Sequence, residues 1–127
     1  MANIGHFMIP ADNVDRAKHF YRKLLGWKIE PTKNPMDLSI KEMQYHDIVT
    51  GPAQEGTMNT GGLYKRHMNE PILSFVLVDD IDKVLGKVEK MGGRITLPKA
   101  HVEGVGLTAM IQDSEGNLIG LWKAEKK

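Results

Sequence analysis

Apolar residues recur three or four positions apart in two stretches of the chain, 14–24 and 81–91. This spacing places them on one face of a helix. The two stripes consist of Val14, Ala17, Tyr21 and Leu24 in the first stretch and Ile81, Val84, Val88 and Met91 in the second. The pattern predicts two amphipathic helices, each with one apolar face packed against a sheet.

Both predicted helices carry start and stop signals. Asn13 and Asp80 stand immediately before the stripes, where a side-chain oxygen can accept a hydrogen bond from a free amide of the first turn. Gly26 and either Gly92 or Gly93 stand where the chain leaves the helix with a positive φ.

Short runs of strand-forming residues surround the two helices. The predicted strands are 4–10, 27–30, 44–50 and 58–66 in the first half, and 73–77, 94–97, 107–111 and 118–122 in the second. Residues 113–117, with the sequence Asp-Ser-Glu-Gly-Asn, form a turn that makes the last two strands a hairpin. The pattern therefore predicts a βαβββ order of elements in each half.

The two halves are copies of one pattern. Residues 6–31 align without a gap on residues 73–98, with five identities and with the helical stripes in register. In the strands that follow the two helices, the alternation of apolar and polar residues is out of phase by one residue between the two halves. We predict one α+β domain made of two modules, about 1–66 and about 72–127, joined by a polar linker at 67–71.

Composition restricts the function only broadly. The 127 residues carry a formal net charge of +1 without a basic patch, which argues against nucleic acid as a partner. The absence of cysteine excludes disulfides and thiolate sites and fits a cytoplasmic protein. With no long apolar run and no leader pattern, we expect neither a membrane span nor a targeting segment.

The paired βαβββ pattern, the run Asp15–Trp27 and the turn at 113–117 resemble the vicinal oxygen chelate superfamily, which includes glyoxalase I, extradiol dioxygenases and bleomycin resistance proteins. The resemblance covers nearly the whole chain. It implies a curled mixed sheet that forms a cup, with the helices outside. It does not imply one reaction, because this scaffold carries many chemistries.

The resemblance also implies four metal-ligand positions, two in each module. They fall on His6, Gly62, Leu73 and Gly120. Only His6 has a side chain that can bind a metal, whereas the family's lyases and dioxygenases need several histidine or carboxylate ligands to polarise two substrate oxygens. We therefore expect no metal and no other cofactor.

Strand alternation predicts which side chains line the cup. The inward set is His6, Met8, Gly62, Tyr64, Leu73, Phe75, Leu77, Leu118, Gly120 and Trp122, and the set facing the helices is Phe7, Ile9, Leu63, Ser74, Val76, Ile119 and Leu121. The inward face is apolar and aromatic, with one titratable group, and its two glycines leave room for a ligand. We predict that it binds a small apolar or aromatic molecule, with His6 as the candidate catalytic residue if a reaction occurs.

Other interpretations stay open. His6 can be a purely structural histidine, and Tyr64 and Trp122 can be packing residues. A divalent-metal lyase or dioxygenase remains possible if its ligands are relocated among His6, His46, Glu42, His101 and Glu103. A third interpretation is a dimeric binder that sequesters its ligand, resembling the bleomycin resistance proteins.

Overall fold

The computed structural model describes residues 2–32, 44–54 and 57–125. They form eight strands and two α-helices in the predicted order. The elements are β1 (Ile4–Ala11), α1 (Val14–Leu25), β2 (Lys28–Pro31), β3 (His46–Val49), β4 (Thr60–Lys65), β5 (Leu73–Leu77), α2 (Ile81–Val88), a 3₁₀ turn (Glu89–Met91), β6 (Arg94–Val102), β7 (Gly106–Gln112) and β8 (Leu118–Ala124). No helix among these residues has the length and apolar character needed to cross a bilayer.

The predicted helix caps are confirmed. The Asn13 side chain accepts a hydrogen bond from the Arg16 amide at 2.9 Å, and Asp80 accepts one from the Lys83 amide at 3.1 Å. At the other ends, Gly26 and Gly92 adopt left-handed conformations with φ of 71° and 92°. Both helices therefore begin at the predicted caps, and α1 and the 3₁₀ turn after α2 end at the predicted glycines.

The chain divides into two compact units. The first unit is His6–Ile72, and the second is Leu73–Lys127 together with Met1–Gly5. The five N-terminal residues thus go with the second half, where the Leu77 amide donates to the Asn3 carbonyl at 2.8 Å.

In the first unit the strand order is β2-β3-β4-β1, with β1 parallel to β4 and the other pairs antiparallel. One face of this sheet packs on α1. The core of that layer consists of Ile9, Ala11, Val14, Ile29, Ile48 and Leu63, with Phe7, Ala17, Tyr21 and Trp27 packed against it. Phe7, Ile9 and Leu63 face the helix, as the alternation predicts.

The second unit repeats the arrangement in the order β5-β8-β7-β6, with β5 parallel to β8 and antiparallel pairs beyond. Its core consists of Val78, Ile81, Ala109 and Leu121, with Val76, Val84, Leu85, Leu107 and Ile111 packed against it. The mixed sheet and the α+β class are confirmed, and so is the hairpin turn at 113–117, where the Asp113 amide donates to the Asn117 carbonyl at 2.9 Å.

Three local predictions are wrong. Leu24 and Met91, placed on the apolar stripes of the two helices, are 65% and 76% exposed. The core contacts of α1 end with Tyr21, and Met91 lies in the 3₁₀ turn beyond α2. The strand predicted at 94–97 continues to Val102 as β6, because irregularities in its pairing with β7 let it pass Pro98 without losing the ladder. His101 therefore lies in β6, beyond the bounds that the sequence predicts for this strand.

Candidate functional site

His6 and Tyr45 form a polar pair on the sheet face of the first unit that points away from α1. His6 Nε2 lies 3.3 Å from the Tyr45 hydroxyl, within hydrogen-bond distance, although 39 residues separate the two along the chain. β1 brings His6 to this face, and Tyr45 directly precedes β3. Both side chains are partly buried.

Burial favours the neutral form of both groups. It lowers the pKa of the His6 imidazole below the usual 6.5, and the charge of Asp47 opposes this effect only in part. Burial, followed by the charge of Asp47, raises the pKa of the Tyr45 phenol well above its usual 10. At neutral pH the pair is therefore an uncharged imidazole beside a protonated phenol.

The Tyr45 ring occupies the space over Gly62. A Cβ placed on Gly62 would lie 2.8 Å from Tyr45 Cε2 and closer still to the phenolic oxygen. Gly62 is buried. The expectation that this glycine leaves room for a ligand is wrong in the first unit, because the ring of Tyr45, the residue before β3, fills that room.

Tyr64, a predicted pocket residue, is 3% exposed, and its hydroxyl donates to Glu70 Oε2 at 3.1 Å. Burial and the charge of Glu70 raise the pKa of the Tyr64 phenol well above its ordinary value. Burial acts to raise the pKa of Glu70, yet hydrogen bonds from the Met68 and His67 amides hold that pKa below its ordinary value. Tyr64 thus anchors the linker after β4. Met8, another predicted pocket residue, is half-buried on the face that carries His6.

In the second unit the Phe75 ring covers Gly120 in the same way. The two residues are register partners in β5 and β8, and a Cβ on Gly120 would lie 2.7 Å from Phe75 Cγ. Here too the expected space at the glycine is already filled. Leu73, at the fourth family position, is 7% exposed and carries no ligand atom.

The other predicted pocket residues of the second unit differ in exposure. Leu77 is 39% exposed, and Leu118 and Trp122 are half-buried. The Trp122 indole donates from Nε1 to the Val105 carbonyl at 2.8 Å, which ties β8 to the turn between β6 and β7.

His46, the proposed relocated ligand in the same unit as His6, lies on the other face of the sheet. His46 is the register partner of Leu63, which faces α1, whereas Asp47 is the partner of Gly62. Directly opposed residues share a face. The expectation that His46 could join His6 is therefore wrong, and the His46 Nδ1 lies 2.7 Å from the Gln44 carbonyl.

His101 and Glu103 belong to the second unit. His101 Nε2 lies 2.9 Å from Glu125 Oε1, and the other Glu125 oxygen accepts from the Gly104 amide. Glu103 is exposed in the turn after β6. Glu42 lies outside the described residues.

The residues present do not fit the family's metal. Two of its four positions are glycines covered by aromatic rings, a third is leucine, and only His6 carries a donor. Within 2–32, 44–54 and 57–125, no three histidine, aspartate or glutamate side chains come close enough to hold an ion.

Sequence reasoning missed Tyr45 and Asp47, the two residues that surround His6. One signal was available: His46 and Asp47 are adjacent in a strand, so they must face opposite sides, and Tyr45 must share the side of Asp47. The pattern did not say which side faces His6. The pairing of β3 with β4 decides it.

A comparison with known families shows the class of protein to which the chain belongs. The sequence model of the Glyoxalase/Bleomycin resistance protein/Dioxygenase superfamily matches residues 3–121. The chain belongs to this superfamily.

Individual relatives are more distant. The chain is 27% identical to a Mycobacterium bovis protein named "Putative glyoxylase CFP32" over 110 aligned residues. The aligned region covers 87% of this chain and 41% of the relative. It thus spans about two fifths of the curated relatives that it matches.

Two solved structures show the same fold. A Streptomyces coelicolor methylmalonyl-CoA epimerase in complex with 2-nitronate-propionyl-CoA has a TM-score of 0.68 and 14% identity, covering 100% of this chain and 99% of that one. A glyoxalase/bleomycin resistance protein/dioxygenase superfamily member from Vibrio splendidus has a TM-score of 0.64 and 11% identity, covering 97% and 99%.

Proposed function

We propose that this protein binds a small apolar or aromatic molecule on the face that carries His6, without a divalent metal. One observation carries the proposal: at the positions that hold metal ligands in the family, this chain has one histidine, one leucine and two glycines covered by Tyr45 and Phe75. Such a donor set cannot assemble a metal centre, but it leaves a largely apolar surface with one polar pair.

The polar pair of His6 and Tyr45 orients the bound ligand. Ligand sites are mostly apolar with a few placed polar groups, and His6 with Tyr45 is such a group beside Met8 and the buried ring of Tyr64. A neutral imidazole accepts a proton or a hydrogen bond from a ligand hydroxyl, and a protonated phenol donates one. A ligand with one hydroxyl or carbonyl on an apolar body matches this arrangement.

The same pair supports a reaction without a metal. A histidine whose pKa lies below 6.5 is uncharged at neutral pH, which is the form that acts as a general base. Several relatives carry the names of enzymes, a glyoxylase and methylmalonyl-CoA epimerases. Sequestration and metal-free catalysis are distinguished by whether the ligand is consumed at saturation.

The proposal is tested by titrating phenol, cyclohexanol and toluene into metal-stripped protein and following the amide NMR signals of His6, Tyr45 and Asp47. We expect saturable shifts with phenol that His6→Ala weakens. His19→Ala is the matched control, because His19 is an exposed histidine on α1. Titrations without saturation at these amides, or an equal effect of the two variants, would refute the proposal.

The metal alternative is tested in the same preparation. We expect thermal unfolding to be unchanged when nickel, zinc, manganese or ferrous iron is added back. A rise of several degrees that disappears in His6→Ala would establish a metal site and overturn the metal-free interpretation.

Cytoplasmic location and a homodimer belong to this proposal as well. Closed symmetric dimers are the commonest oligomers, and Phe20, Leu24 and Leu25 are exposed on α1, at 56%, 65% and 50%. Light scattering at micromolar concentration should give twice the chain mass of 14.2 kDa. A monomer mass would remove the dimer from the proposal.

A further inference from the structure

The second unit carries a cleft of about 330 Å³ beside the end of α2, on the helix side of its sheet. Val88, Met91, Gly93 and Ile111 form its apolar lining. The cleft is separate from the Phe75 and Gly120 face, because Ile111 packs with the core under α2. A volume of this size falls at the lower end of the range for small-molecule sites.

Comparison of the two units shows which group the cleft lacks. Gly26 ends α1 and Gly92 ends the 3₁₀ turn that continues α2, both in the left-handed conformation, so they are structural equivalents. The next residue is Trp27 in the first unit and Gly93 in the second, and each is followed directly by a strand. This explains the one-residue change of phase between the two halves of the sequence.

In the first unit the Trp27 ring stacks on Tyr21, with centroids 5.1 Å apart and planes inclined by 7°. The helical residue equivalent to Tyr21 is Val88. The second unit therefore has a valine and a glycine where the first has two stacked rings. A Cβ on Gly93 would lie 2.5 Å from the Gln112 carbonyl oxygen, so the chain itself cannot supply a ring from that position.

Two opposite charges line the cleft, and they differ in their partners. Lys87 and Asp113 both line it. The carboxylate of Asp113 already accepts hydrogen bonds from the Glu115 and Asn117 amides and from the Asn117 side chain. Lys87 has no ion pair or hydrogen bond within the part of the chain that the structure describes, so its ammonium group is available to an anion.

We propose that this cleft binds a planar aromatic carboxylate, with the aromatic ring in the place that Trp27 occupies in the first unit and the carboxylate at Lys87. The apolar lining, which includes Val88 and Ile111, buries the ring. The ammonium group of Lys87 selects the acid over a basic molecule with the same ring.

The test is a titration with indole-3-acetate, followed by amide NMR of the full chain. We expect saturable shifts at Gly93 and Ser114, with a dissociation constant on the order of 1 mM for a molecule of this size in an open cleft. Tryptamine, which has the same ring and the opposite charge, should bind more weakly. Shifts confined to His6 and Tyr45, or no saturation, would overturn the proposal and leave the proposed function of the first unit untouched.

Lys87→Gln should weaken indole-3-acetate binding about two- to fivefold, the effect of one exposed ion pair. Lys90→Gln is the matched control, since Lys90 is an exposed lysine three residues further on that does not line the cleft. Equal dissociation constants for these two variants, or equal affinity for tryptamine, would show that Lys87 does not bind the carboxylate and would refute the assignment.

Discussion

Replacing Gly62 by alanine tests whether Tyr45 fills the space at this family position. The added Cβ would lie 2.8 Å from Tyr45 Cε2, whereas carbon atoms in contact prefer about 3.5–4.0 Å. The ring must therefore move by roughly 0.7 Å at that atom, and by more at its hydroxyl, which breaks the hydrogen bond to His6. Overpacking of this kind costs about 1–3 kcal/mol of the free energy of unfolding.

The same substitution should have the opposite sign once Tyr45 is removed. In a Tyr45→Ala background no ring opposes the new methyl group, and the φ of Gly62 lies outside the left-handed region. Gly62→Ala should then stabilise the protein by about 0.4–1 kcal/mol, because alanine restricts the unfolded chain. The coupling free energy between the two positions is accordingly about 1.5–4 kcal/mol by these principles.

Urea unfolding of the four proteins in this cycle, followed by circular dichroism, measures the coupling. Gly86→Ala serves as the control, because a Cβ there meets nothing within 4 Å and the helix should gain about 1 kcal/mol. If Gly62→Ala changes the free energy of unfolding equally with and without Tyr45, then Tyr45 does not cover Gly62, and the argument for filled family positions fails.

Three further predictions concern the helix caps, the partly buried His6 and the linker. Asn13→Ala and Asp80→Ala should each cost about 1 kcal/mol in urea unfolding, because each removes the acceptor of a first-turn amide; no loss would mean that solvent replaces the cap. Because the folded pKa of His6 is lowered, the unfolded chain binds the proton more readily, so stability should be complete above pH 6.5 and decline as the pH falls below it. Thermal melts of His6→Gln should lack that decline. Glu70→Ala should cost about 1–3 kcal/mol in the same unfolding assay, because it leaves the buried Tyr64 hydroxyl without its acceptor; a smaller loss would indicate a substitute partner.

Local chemistry made much of the fold predictable. Helix caps, glycine stops and the turn at 113–117 act over a few residues, so a single sequence reveals them. The two copies of the pattern also predicted which strand faces carry Phe7, Ile9 and Leu63 toward the helix, because alternation in a strand is strict. The extent of β6 and the exposure of Leu24 depended on contacts that no local pattern reports.

The sequence by itself determined that this chain has two βαβββ halves and that only His6 among the four family positions can donate to a metal. The tertiary structure decided what lies beside these positions within each unit. Strand pairing sets Asp47 opposite Gly62 and turns His46 away, and packing places Tyr45 over one glycine and Phe75 over the other. A residue's type is a property of its position in the chain, whereas its neighbours across a sheet depend on register, which long-range pairing fixes only when the chain folds.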